Sequence, residues 1–217
     1  MTVTHHPGEE LLIDFAAGGL AEPWSLAIAT HLALCPNCRQ TVADAEAVGG
    51  ALLDGLALAA IDDDALDRVL ARLDEAPPIE TAGSNQAAPG TVLPEPLRSY
   101  VGGDLGQLRW RRLGFGASQV QIKTANDSGA VRLLRVPGGG SVPHHGHHGP
   151  ELTVVLAGGF TDAQGHFLRG DLQQTDPSVR HQPRSDPGAP CISLTVTNAP
   201  LDFSSRLVRA LKPWIGI

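Results

Sequence analysis

Aromatic side chains are scarce, with five Phe, three Trp and one Tyr in 217 residues. Glycine and proline are not: 25 Gly and 17 Pro favour short strands and turns for much of the chain and argue against an all-helical protein. Cysteine is rarer still. Three of them, with Cys35 and Cys38 three positions apart, do not make a disulfide framework, so metal or redox chemistry is the better reading. Long apolar runs are missing, because Asp14 and Asp54 interrupt the longest candidates, and Met1 to Glu10 lacks the basic start of a signal peptide. A soluble, cytoplasmic protein with no membrane contact is expected. The N-terminal third also lacks positive charge: residues 1–75 hold 13 acids against only Arg39, Arg68 and Arg72, a net −10, whereas residues 76–217 carry a net +3. That disfavours nucleic acid as a direct ligand of the first part, which would need clustered Lys and Arg, but it suits a basic, nucleic-acid-binding protein as a partner. A solvated acidic face kept for solubility is the plainer alternative.

What is present divides the chain. From Pro7 to Ala76 the apolar residues recur with a helical period, as in Leu11, Leu12 and Phe15, Leu26, Ala29 and Leu32, and Leu66, Val69, Leu70 and Leu73. Three or four helices are predicted, the last opened by the N-capping acids Asp62, Asp63 and Asp64. Residues 77–96 hold Pro77, Pro78, Pro89, Pro94 and Pro96 around a polar stretch with no period, which reads as a linker. Beyond it come short strand-like runs, Val120–Thr124, Val131–Val136, Leu152–Leu156 and Ile192–Thr197, parted by turn residues such as Asn126-Asp127-Ser128-Gly129. The expected fold class is therefore α + β in two domains: a small helical bundle over 1–76 and an all-β barrel over 97–217.

Two constellations carry chemistry. His31, Cys35 and Cys38 form H-x3-C-x2-C. Residues 23–34 read as a helix opened by Pro23, so His31 and Cys35 share one face at its end, and Pro36 in the first turn of the next helix puts Cys38 one turn further on. Thiolate and imidazole are the preferred ligands of zinc, and a closed tetrahedral site takes a fourth group from the N-terminal arm, where His6 and His5 both qualify. The rivals are a Cys-Pro-x-Cys redox pair, disfavoured because a helix rather than a strand precedes it, and two buried thiols beside an unrelated histidine. In the second half, Gly139-x5-His145-x-His147-x3-Glu151-x6-Gly158 sets two alternate strand residues and a nearby carboxylate toward one point, a nitrogen and oxygen set suited to Zn, Fe, Mn or Ni. His144 and His148 should face the other way, to solvent.

The first constellation resembles the zinc-binding anti-sigma domain over about residues 1–76, which implies His6 as the fourth ligand beside His31, Cys35 and Cys38. The second matches the first cupin motif at every fixed position. The second cupin motif follows as Gly165, Gly170-Asp171 and His181, with Asp176-Pro177-Ser178-Val179-Arg180 in place of its usual Pro-x-Gly, and His181 is the implied fourth ligand there. A helical zinc domain, a proline-rich linker and a cupin together resemble the ChrR-like anti-sigma factors. The resemblance implies a cytoplasmic, non-enzymatic transcription regulator that inhibits an extracytoplasmic-function sigma factor. It implies one zinc in the helical domain and a second metal, zinc by preference, in the cupin, where singlet oxygen or organic peroxide is sensed. Ser193 stands where a second cysteine near Cys191 would have supported thiol sensing, and Cys191 alone reads as a buried small hydrophobe. The alternative is a metal-dependent cupin dioxygenase or isomerase with a helical zinc assembly module. The linker further suggests two metal sites separable by mutation, and a helical domain that unfolds alone when its zinc is removed.

Overall fold

The computed structural model describes residues 2–75, 90–125, 128–199 and 201–203. Most of the expected linker, residues 77–89, and the Asn126-Asp127 turn lie outside the described residues.

Four helices open the chain: α1 (Glu9–Ala16), α2 (Glu22–Leu34), α3 (Pro36–Asp54) and α4 (Ala65–Glu75). Pro23 lies in the first turn of α2, where its missing N–H has no partner to lose. Pro36 forces the residue before it out of helical geometry, so α2 stops at Cys35, whose φ of −115° and ψ of 102° are extended, and α3 starts at once. This elbow sets Cys35 and Cys38 against the end of α2. Arg68 of α4 reaches back to the carboxylates of Asp62 and Asp64, as an acidic helix start favours. A short helix, α5 (Glu95–Val101), falls where the prolines read as linker; Pro94 and Pro96 start it, and its buried Leu97 joins the core beside α2.

The β part comprises β1 (Arg111–Arg112), β2 (Ser118–Ile122), β3 (Ala130–Val136), β4 (His145–His147), β5 (Glu151–Ala157), β6 (Gly159–Asp162), β7 (Gly165–Leu168), β8 (Leu172–Thr175), β9 (Arg180–His181), β10 (Arg184–Ser185), β11 (Cys191–Thr197) and β12 (Leu201–Phe203). All pairs are antiparallel, in a six-stranded sheet ordered β1-β2-β3-β11-β5-β8 and two three-stranded sheets, β10-β6-β7 and β12-β4-β9. Alternation divides the large sheet into two faces. Glu151, Thr153, Ser193, Thr195 and Thr197 line the interior. Leu152, Val154 and Leu156 of β5, Ile192, Leu194 and Val196 of β11, and Val131 and Leu133 of β3 face outward, into one apolar core with Leu26, Ala27, Ile28 and Leu32 of α2. Both β5 and β11 are thus covered on both faces, like the strands of a helix-layered sheet. The helical part and the barrel share a core, and the exterior of the large sheet is buried by α2 rather than by water. No helix among the described residues is long and apolar enough to cross a membrane.

Candidate metal centres

The elbow between α2 and α3 brings His31, Cys35 and Cys38 to one point, and the chain before α1 delivers His6 to the same place. His31 Nε2 lies 3.3 Å from Cys38 Sγ, and His6 Nδ1 lies 3.4 Å and 3.3 Å from Cys35 Sγ and Cys38 Sγ. A tetrahedral ion held at about 2.0–2.3 Å spaces its ligand atoms roughly 3.3–3.8 Å apart, so the four groups fit one. His31 Nδ1 donates to Gly170 O at 2.8 Å, which fixes the tautomer and turns the Nε2 lone pair into the cluster. Burial pushes the His31 imidazole down to about 4 and the Cys38 thiol up to about 12, so the imidazole stays neutral and a bound cation must displace the thiol proton. His5 is not part of this group. Its ring packs on Phe167 at 4.3 Å and its Nδ1 lies 3.4 Å from Asp171 Oδ2.

The second cluster sits inside the barrel. β4 places His145 and His147 on the same side, β9 sets His181 directly across from His145, and Glu151 opens β5. His181 Nε2 lies 3.2 Å from His145 Nε2 and 3.1 Å from His147 Nε2, and Glu151 Oε2 lies 3.5 Å from His147 Nδ1. The other ring nitrogens explain what these contacts are. His145 Nδ1 donates to Pro143 O at 2.9 Å and His181 Nδ1 donates to Asp162 Oδ2 at 2.7 Å, so in the neutral rings that bind a metal both Nε2 atoms present bare lone pairs to each other. Two lone pairs 3.2 Å apart repel unless a cation lies between them, and the donor set therefore fits a metal ion. Desolvation lowers His145 to about 3 and His147 to about 4 and raises Glu151 to about 7. Above the cluster is a cavity of about 100 Å³ with mostly apolar walls, Leu134, Val136, Val142, Pro143, Phe160 and Cys191 among them. Burial holds the Cys191 thiol up near 12, which leaves it an inert wall residue. His144 and His148 are exposed.

Two supporting carboxylates have no local sequence signal for their roles. Asp162 holds His181, and Asp171, read only as part of a motif, accepts hydrogen bonds from the arm that carries His6.

Comparison with known proteins identifies the family. Residues 99–200 match the family described as the ChrR cupin-like domain. The anti-sigma-E factor ChrR of Cereibacter sphaeroides is 42% identical over 217 residues, covering the whole of both chains. A crystal structure of Rhodobacter sphaeroides SigE in complex with the anti-sigma ChrR aligns with a TM-score of 0.78 at 39% identity, over 90% of this chain and 99% of that one. With this extent of identity, a helical elbow of two cysteines and two histidines, and a cupin-like barrel, the chain belongs to the ChrR family of anti-sigma factors.

Proposed function

We propose that this protein is a cytoplasmic, non-enzymatic transcription regulator that binds and inhibits an extracytoplasmic-function sigma factor. Residues 1–76 dock the sigma factor, and residues 97–217, joined through the 77–96 segment, receive the signal. One Zn²⁺ held by His6, His31, Cys35 and Cys38 shapes the helical part, and a second metal, Zn²⁺ by preference, is held by His145, His147, Glu151 and His181.

The observation that carries this reading is a row of large apolar side chains left uncovered on the C-terminal half of α3, the segment after it, and α4. Leu52 and Leu53 are 70% and 68% exposed, Ile61 80% and Leu58 fully. Leu66, Val69, Leu70 and Leu73 extend the row along α4, whose other face is charged. So many exposed large apolar side chains within one acidic stretch of sequence suit a partner interface. Its acidity suits the basic nucleic-acid-binding surface of a sigma factor. A solved relative bound to SigE supports the same partner class. The signal is an oxidant small enough for the 100 Å³ cavity, singlet oxygen or a small organic peroxide, acting where the cavity meets the barrel metal.

Co-purification of the full chain with extracytoplasmic-function sigma factors from its own genome tests the proposal. Val69→Asp with Leu70→Asp should weaken the complex at least about thirtyfold, as expected where hot-spot residues are lost, with the fold unchanged because both side chains are about half exposed. No complex with the wild-type chain, or one that the double variant leaves intact, would refute it.

A further inference from the structure

The turn between β7 and β8 is tied to the barrel through Val155 and Leu168, yet it also holds the helical part. Gly170 O accepts from His31 Nδ1 at 2.8 Å. Asp171 Oδ1 accepts from the backbone N–H groups of Thr4 at 2.7 Å and His5 at 3.0 Å, while its Oδ2 accepts from Leu168 N at 2.8 Å, tying the carboxylate to its own turn. Leu172 N donates to His5 O at 3.0 Å, and Gly8 N donates to Gln174 Oε1 at 3.2 Å. The arm is therefore gripped on both sides of His6, and both imidazoles of the helical cluster take their positions from the barrel. Gly170 makes room for this: its φ is +95°, and a Cβ there would stand 2.6 Å from Val3 Cγ2.

We propose that the Gly170–Leu172 turn of the barrel is a positioning element of the helical metal centre, with Asp171 as its main clamp, so that metal binding at that centre and seating of the barrel on the helices strengthen each other. This rests on the reading of His6, His31, Cys35 and Cys38 as a metal site. Three of those ligands lie on one elbow, but His6 comes from an arm with no helix or strand of its own, and ordering it costs the most conformational entropy. A clamp that orders the arm beforehand raises the affinity of the whole set. By thermodynamic reciprocity, metal at the cluster holds the arm on the barrel to the same degree.

Titration of the full chain with Co²⁺, followed by competition with Zn²⁺, tests this. Thiolate-to-cobalt charge-transfer absorption reports only the helical cluster, because the barrel cluster contains no sulfur ligand. Asp171→Ala should weaken both ions at that cluster about ten- to hundredfold, and Asp171→Asn, which can keep an oxygen toward Thr4 N and His5 N but sets its NH₂ against Leu168 N–H, should fall between wild type and Asp171→Ala. Thr4→Pro deletes one of those amides and alters no barrel residue, so it should weaken binding even where Asp171→Ala lowers the barrel's own stability. Native affinity in Asp171→Ala or Thr4→Pro would overturn the proposal. Absence of the charge-transfer band from the wild-type chain would overturn the metal-site reading itself.

Discussion

The Asp162 carboxylate, with no exposed surface, accepts from His181 Nδ1 at 2.7 Å, from Gln173 Nε2 at 2.7 Å and from Gln164 N at 2.8 Å. Burial alone would raise its pKa, and these hydrogen bonds outweigh that and hold it below the usual carboxylate range. An ionised partner of this kind fixes the ring of His181 and makes Nε2 a better electron donor. Asp162→Ala should therefore weaken metal binding at the barrel cluster about ten- to hundredfold, measured by chelator competition, while the thiolate-containing cluster keeps its affinity. It should also cost roughly 1–3 kcal/mol in denaturant unfolding for each buried donor left unpaired. A barrel cluster of native affinity would show that His181 is held by its strand alone.

At the scale of the element, α2 decides how the molecule is assembled. Ile28 is fully buried and sits among Leu26, Ala27 and Leu32, with β5 and β11 beneath. Ile28→Ala should cost about 2–5 kcal/mol, read from denaturant unfolding, and should lower the stability of helices and barrel together; a barrel transition that stays in place would show the contact to be incidental. The position of α2 was partly legible in the sequence. Between Glu22 and Arg39 there is no Asp, Glu, Lys or Arg, so the helix is apolar on every side, a sign of burial all round rather than of one face in a small bundle. Likewise the run Leu152 to Leu156 has too few polar residues for a strand with one wet face. The two candidate metal clusters were legible because most of their residues are close in sequence: His31, Cys35 and Cys38 within one elbow, His145, His147 and Glu151 within one hairpin, with His6 and His181 arriving from elsewhere. Choosing His6 over His5 by spacing was not possible, since it depends on which of two neighbours the barrel takes. The supports, Asp162, Gly170 and Asp171, meet their targets only through the tertiary fold, across more than 130 residues in the case of His31 and Gly170 and with no periodicity to announce them. The prolines around Pro94 and Pro96 pointed to a linker because they break pattern, yet the same residues start α5.

For the molecule as a whole, the shared core replaces the expectation of a helical part that unfolds alone. The outward side chains of β5 and β11 pack against α2 in this core, so loss of the helical part would leave their apolar face in water. Chelation, or Cys35→Ser with Cys38→Ser, should therefore move a single transition, in which helical circular dichroism and the near-ultraviolet aromatic signal are lost at the same temperature. A helical loss that leaves the aromatic signal in place would mean the barrel keeps its fold unaided. Synthesis adds a dimension of time to the same arrangement. Cys38 leaves the ribosome roughly 130 residues before Leu172, an interval of about 7–27 s at about 5–20 residues per second. For most of it, once α4 has followed, the growing chain carries the cysteine-histidine elbow and the apolar row of α3 and α4, but not yet the turn that steadies His6 and His31. On the proposed reading, the apolar row is thus made before the candidate centre beside it is complete, and full-strength metal binding would belong to the completed chain.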